Sequence, residues 1–271
     1  LYKCSNNCIY TIMAKRPSTP RIRAVPAVTR AVAILRLLGR SRTPLRAKEI
    51  ADALGLVPST VLHILRALAA EQLVQVDSAT KAYSLGIGML PLARAVLENS
   101  DFPTLVQPSL DALSRDHGVT AIGVAVPDLD HMIVVALARA STPVRLHVDV
   151  GSRFPALISA TGRCLAAFTG HPWSEVEKRF RRLRWHNAPR YEAWRKDVET
   201  ARRQGFSIDR GNYIDGVTIV AVPVLDARRT ITHTLAAVGL GSQLDRAAAR
   251  ALAQDMRVAA EEVAAQLVPQ T

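Results

Sequence analysis

The chain has 271 residues, 49% of them hydrophobic, and carries 35 Lys and Arg against 23 Asp and Glu for a formal charge of +12. That length holds two domains of ordinary size with packed cores. No apolar run reaches the length of a membrane span, no continuous apolar stretch follows Lys3 as a secretory signal would need, and three cysteines (Cys4, Cys8, Cys164) cannot build a disulfide framework or a zinc site. The chain therefore reads as cytoplasmic, without a membrane partner or a cofactor, and its excess cation asks for a polyanion.

Residues 1–24 are expected to be a disordered or basic arm. Leu1 to Ile12 match nothing around them in composition or period. Met13 reads as the natural start, and what precedes it as an over-extended reading frame or a cloning remnant. Lys15, Arg16, Arg21 and Arg23 suit phosphate or minor-groove contact and suit a solvated tail equally.

Residues 25–86 form the first predicted domain. Val28, Ala31, Val32, Leu35 and Leu38 outline the apolar face of a helix, and Ser41 to Pro44 a loop. From Arg46 to Leu54, Ala47, Ile50, Ala51 and Leu54 share one helical face. Gly55-Leu56-Val57 breaks that period, and Pro58 opens a second helix at its first position. There Val61, Ile64, Leu65 and Leu68 make a buried stripe, and Ser59, Leu62, His63 and Arg66 the opposite face. Leu73 to Val76 and Lys81 to Leu85 flank the polar turn Asp77 to Thr80 as a β-hairpin. Two short helices, a glycine corner and a hairpin spell a winged helix-turn-helix. An ordinary αα-hairpin has the same spacing, but charge separates the two: Met13 to Leu85 holds 12 Lys and Arg against 4 Asp and Glu, while Gly86 onward holds 22 against 19. The cation sits with the helix pair.

Residues 87–102 read as a linker helix and 103–271 as a second domain. Strands are expected over Val119–Val126, His131–Ala138, Val144–Val150, Gly205–Ile208, Val217–Leu225 and Ile231–Leu240. Helices are expected over Ser159–Thr169, Ser174–Leu183, Tyr191–Gln204 and Leu244–Leu267. Strands, helices, strands and a closing helix make an α+β sandwich of sheet and helices. Trp173, Trp185, Tyr191 and Trp194 gather in the two charged helices, as anchors or as a subunit contact.

The chain resembles the isocitrate-lyase-regulator (IclR) family of bacterial transcription factors. The N-terminal half carries Ala27-Val28-x-Arg30-Ala31-Val32-Ala33-Ile34-Leu35, Glu49-Ile50-Ala51-x-x-Leu54-Gly55-Leu56, Ser59-Thr60-Val61 and Tyr83-x-Leu85-Gly86. The C-terminal half carries Val148-x-Val150-Gly151-Ser152-Arg153-Phe154-Pro155 preceded by Arg145-Leu146, then Ala160-Thr161-Gly162-Arg163, Gly205 to Asp209, Gly216-Val217, and Ala221 to Val224 with Asp226. No single motif decides; the ordered set does. The resemblance implies a winged helix-turn-helix domain, a linker helix and a GAF-like effector-binding domain, assembled as a homodimer or homotetramer. It implies a regulator of transcription, more often a repressor than an activator. Three departures stand out. The family usually has Pro one residue earlier with Arg where His63 stands. A pocket Cys corresponds to Ile219. Two strand Ser residues correspond to Gly239 and Gly241. These point away from small 2-oxo acids and toward a larger metabolite, aromatic ones included.

Two sets of site residues follow. For double-stranded operator DNA, Arg66 and His63 can read guanine, Leu62 a thymine methyl, Ser59 and Thr60 phosphates at the helix start, and Lys81 on the wing a phosphate. For a small-molecule carboxylate effector, the N–H groups of Ser159 to Gly162, with Ala160 and Thr161 at their centre, form an anion seat. Asp209 suits ligand hydroxyls, or an ordinary turn. Leu146, Phe154, Val217 and Ile219 suit apolar walls or plain core, and Gly239 and Gly241 complete the pocket by the resemblance. GxSxG, HExxH and P-loop signatures are absent, Gly239-x-Gly241 lacks the third glycine of a dinucleotide loop, and Cys164 reads as core, so no catalytic or metal residues are expected. One alternative stays open: an enzyme or sensor domain fused to a basic helix pair that binds a non-DNA acidic partner.

Overall fold

The computed structural model describes residues 25–140 and 148–267. It begins with α1 (Pro26–Arg40), Pro26 standing in its first turn where no amide partner is needed. The buried face of α1 is Ile34 and Leu38; Val28, expected inside, is 59% exposed. The helix runs beyond its contact with the core at its N-terminal end, where residues 26–30 are exposed, so that part of the apolar stripe faces water. Next come β1 (Leu45–Arg46), α2 (Ala47–Leu54), α3 (Pro58–Ala70), β2 (Val74–Val76) and β3 (Ala82–Leu85). The short strand β1 replaces the expected loop-to-helix passage. Leu45 and Arg46 pair with Tyr83 and Ala82, making a three-stranded antiparallel sheet in the order β1-β3-β2. The Arg46 amide then donates to Glu49 Oε2 at 2.6 Å and caps α2.

Gly55 ends α2 in the left-handed region at φ +61, and the Leu56 amide donates back to Ala51 O at 2.9 Å. The chain turns there by 117° into α3, within the range of helix-turn-helix pairs. Ile50, Ala51, Val61, Leu65 and Leu68 close on Ile34, Leu38 and Val74 as one core. Each fully buried Leu or Ile contributes about 1.5–3 kcal/mol, which fixes the roll of α3 and therefore which face it turns outward. Among the described residues no single helix is long and apolar enough to cross a membrane; α2 and α3 reach that length only together, across this bend.

Helix α4 spans Met89–Glu98, and the chain divides into two compact units inside it, between Ala93 and Arg94. The second unit runs α5 (Asp101–His117), β4 (Thr120–Ala125), β5 (His131–Ala138), β6 (Arg153–Pro155), α6 (Ser159–Phe168), α7 (Trp173–Phe180), α8 (Tyr191–Gln204), β7 (Ser207–Arg210), β8 (Val217–Leu225), β9 (Ile231–Leu240) and α9 (Arg246–Gln266). Of the strand expected over Val144–Val150, 144–147 lie outside the described residues and Val148 to Val150 are not a strand; pairing resumes at β6, against Met132. Phe102, assigned above to the linker, lies in α5 and is fully buried.

The six strands form an antiparallel sheet in the order β6-β5-β4-β9-β8-β7. Helices α5 and α9 cover one face; α6, with α7 and α8 behind it, covers the other. Strand β8 is buried along nearly its whole length because both faces are covered. Alternation sends Val217, Ile219 and Ala221 to the α6 side and Val220, Val222 and Val224 to the α9 side. The β4–β5 register slips at Gly123/Val124, so Met132 and Val134 face α6 while Ala136 and Ala138 face α9. Phe180 packs on Trp194, Tyr191 and Trp185 with ring centroids 4.8, 5.3 and 5.8 Å away, which makes these aromatics internal anchors.

Candidate nucleic-acid interface and ligand cavity

Helix α3 turns Ser59, His63 and Arg66 to solvent, with Thr60 and Leu62 half-buried at the edges of that face. Its first backbone bond runs from the Val61 amide to Val57 O at 3.2 Å, and Pro58 has no N–H. The amides of Ser59 and Thr60 thus precede the helical ladder and point at whatever lies beyond its positive end. Lys81 is exposed at the end of the hairpin turn, at φ +54. Asp77 closes that turn: its Oδ1 accepts the Thr80 and Ala79 amides at 2.8 Å each, and these bonds hold its carboxyl below the usual range. Three contributors to this surface were not anticipated. Val57, 64% exposed immediately before α3, was read only as a break, and Arg46 and Lys48 are exposed where β1 meets α2. An apolar residue directly ahead of a helix-opening Pro was the signal available for Val57.

On the α6 side of the sheet of the second unit lies a cavity of about 200 Å³. Its floor is Ile122 and Val124 of β4, Met132 of β5, Phe154 of β6, Ile219 of β8 and Ala236 and Val238 of β9; Tyr213 and Ile214 cover it, with Val148 at its edge. Ser159 and Thr161, in the first turn of α6, are its other polar lining beside Tyr213. The first backbone bond of α6 runs from the Gly162 amide to Ile158 O at 2.8 Å, so the amides of Ser159, Ala160 and Thr161 come before the ladder. The turn is tight: Ser159 has φ +59, and a Cβ on Gly162 would stand 2.0 Å from the Leu157 carbonyl carbon. Only glycine lets α6 start this close to the preceding chain. Burial pushes the Tyr213 phenol up, so at neutral pH it remains an O–H donor.

Of the residues proposed for an effector, Phe154, Thr161 and Ile219 line this cavity. Leu146 lies outside the described residues. Ala160 and Val217 are buried in the same core without reaching the cavity. Gly239 is a correction. Val238 and Ala236 face the cavity, so Gly239 faces the other side, where a Cβ would meet Val119 and Leu244 at 3.4 and 3.8 Å. Gly241, two residues on, abuts Gly216 O and Thr218 instead. A strand alternates its faces, and the parity of β9 was misassigned.

Asp209 is the second correction. It does not line the cavity; its Oδ2 pairs with Arg163 Nη1 at 3.1 Å, and the two side chains are 1% and 2% exposed. Its Oδ1 accepts the amides of Asn212 (2.9 Å) and Tyr213 (3.4 Å), while Arg163 Nη2 donates to Asn212 Oδ1 at 2.8 Å. Arg163 Nε lies 3.4 Å from Asp197 Oδ2 but is not aligned for a hydrogen bond. The carboxylate is thus consumed in holding the loop that carries Tyr213 onto the cavity, and that loop is tied on its far side by the Asn187 amide to Asn212 O at 2.9 Å. Cys164 is core: burial pushes its thiol up to about 12, and Sγ donates to Ala221 O at 3.3 Å.

Residues 94–265 match the profile of the bacterial transcriptional regulator IclR C-terminal family, and residues 27–78 that of the IclR helix-turn-helix domain. The chain belongs to the IclR family of bacterial transcriptional regulators. This IclR-family chain is 25% identical over 228 residues to the HTH-type transcriptional repressor AllR of Salmonella typhimurium, covering 80% of it and 81% of that protein. It is 29% identical over 225 residues to the glycerol operon regulatory protein of Streptomyces griseus, covering 83% and 87%. It is also similar to the crystal structure of an IclR transcriptional regulator from Alicyclobacillus acidocaldarius, with a TM-score of 0.78 at 26% identity, covering 90% of this chain and 99% of that one. IclR-family proteins are regulators rather than enzymes, which sets the catalytic alternative aside. The two units of this regulator are a DNA-binding helix-turn-helix domain and an effector-binding domain.

Proposed function

We propose that this protein is a repressor that reads operator DNA with α3 and releases it on sensing a compact, mainly apolar carboxylate. The observation that carries the effector reading is the first turn of α6, which opens onto an otherwise apolar cavity. The amides of Ser159 to Thr161 and the positive end of the helix dipole favour an anionic head. The Ser159, Thr161 and Tyr213 hydroxyls add donors, and the β-sheet floor receives an apolar body. A cavity of about 200 Å³ has room for a compact organic acid such as benzoate. Repression is supported by the Salmonella relative, which is named a repressor.

In the DNA reading, residues 25–86 are the binding domain, α4 the linker and the remainder the sensor. Arg66 and His63 read base edges, Leu62 and Val57 supply apolar contact to thymine methyls, and Ser59, Thr60 and Lys81 hold phosphates. Two copies would read two half-sites. The exposed apolar side chains Leu90, Leu92 and Val96 on α4 give a second copy a surface, which supports a homodimer or a pair of dimers.

The test is fluorescence anisotropy on the neighbouring promoter, with and without aromatic and aliphatic carboxylates, together with thermal shift. A benzoate-class carboxylate should raise the melting temperature, lower operator affinity and lose both effects in Thr161→Val. If no carboxylate stabilises the protein, or Thr161→Val responds like the parent, the cavity is not the sensor.

A further inference from the structure

A second concave site lies in the effector-binding unit away from the sensing cavity. It is a pocket of about 370 Å³ between the end of α8, the β8–β9 turn and α9. Four guanidinium groups from three separate elements converge on it: Arg202 and Arg203 from α8, Arg229 from the turn and Arg257 from α9. Two carboxylates share the pocket, Asp226 and Glu261. Asp226 is spent on its own turn, Oδ1 accepting the Arg228 and Thr230 amides at 2.9 and 2.8 Å. Glu261 lies 3.8 Å from Arg257. Among the described residues, Arg202, Arg203 and Arg229 have no carboxylate within 4 Å; Arg202 donates to Ala167 O at 2.6 Å and Arg203 to Thr200 Oγ1 at 3.1 Å. The site therefore keeps net positive charge in a concavity, where like charges are costly to gather unless an anion joins them.

The two α8 arginines also offset the negative end of their helix, which alone would explain them. It does not explain Arg229. That residue sits at φ +59 in the hairpin turn, a conformation that favours glycine, yet it is one of the longest side chains available. The floor beneath the arginines is apolar, formed by Phe168, Leu225, Ala260 and Ala264. Forked guanidinium donors above an apolar floor match a phosphate monoester with a hydrophobic body better than a carboxylate alone.

We propose that this pocket is a second anion site, taking a small organic phosphate on Arg203, Arg229 and Arg257, separate from the sensing cavity.

The experiment is calorimetric titration of the full chain with phenyl phosphate at 0.1 M salt, alone and with saturating benzoate. Phenyl phosphate should bind in both conditions, and Arg203→Gln and Arg229→Gly should each weaken it at least tenfold. Arg229→Gly relieves the positive φ, so its melting temperature should hold or rise, and lost binding could not be ascribed to unfolding. Thr161→Val, in the sensing cavity, should bind phenyl phosphate as the parent does. Equal binding by parent and arginine variants overturns the proposal, and so does loss of binding in Thr161→Val. Arginine variants that weaken operator binding while leaving phenyl phosphate affinity unchanged would assign the patch to DNA and overturn it as well.

Discussion

Asp209 Oδ2 stands 3.1 Å from Arg163 Nη1, and neither side chain reaches solvent. The pair joins β7 to α6, the helix whose first turn seats the proposed anion. Through Oδ1 the same carboxylate grips the loop bearing Tyr213. Removing one partner strands a buried charge, whose cost outweighs any gain from the pair itself. Asp209→Ala should therefore destabilise the protein by about 3 kcal/mol, the lower end for buried pairs, because the half-exposed Asp197 offers Arg163 a second countercharge. Urea unfolding measures this; an unchanged midpoint would mean the pair holds nothing.

Arg66 and Lys81 should fail in different ways. If Arg66 reads a base edge as proposed, Arg66→Ala should cost about 1–3 kcal/mol and relax preference at one operator position. If Lys81 holds a phosphate as proposed, Lys81→Ala should weaken all sequences alike and reduce the slope of log affinity against log salt by about one. Anisotropy titrations over several salt concentrations, on operator and scrambled DNA, separate the two. Identical slopes for both variants would place Arg66 on the backbone.

The first turn of α6 gives a paired test. Thr161→Val keeps the shape of a buried residue and removes one hydroxyl, so stability should change little while carboxylate affinity falls several-fold. Gly162→Ala instead drives a methyl into the Leu157 backbone, and overpacking of this kind costs about 1–3 kcal/mol. Thermal melts with and without benzoate distinguish a lost contact from a displaced helix.

His233 lies face to face with Phe102, ring centroids 3.9 Å apart, and burial lowers its pKa from 6.5 to about 4. The folded state thus holds the ring neutral where the unfolded chain would protonate it. Its contribution to stability is complete above pH 6.5 and is lost as pH falls from 6.5 toward 4. His233→Gln should flatten the stability profile across that window. A variant with the same acid slope as the parent would locate the sensitivity elsewhere.

Much of this protein was written in local order. The stripe Val61, Leu65 and Leu68, the Gly55-to-Pro58 corner and the Asp77 turn depend on residues a few places apart, so the helix-turn-helix and the outward set of Ser59, His63 and Arg66 could be read directly. Strands β5, β8 and β9 declared themselves by length and β-branched content. The ordered motifs of both halves also carried the family. What local order could not supply was pairing. The strand β1 exists because Arg46 meets Ala82 thirty-six residues on. Gly239 turned out to face away from the cavity because register against β8 sets the parity of β9. Asp209 looked free for a ligand until the fold brought it to Arg163, forty-six residues away in the chain. The convergence of Arg203, Arg229 and Arg257 has no sequence signature at all. Periodicity reports which side of an element is apolar; which charges become neighbours is decided only when the elements pack.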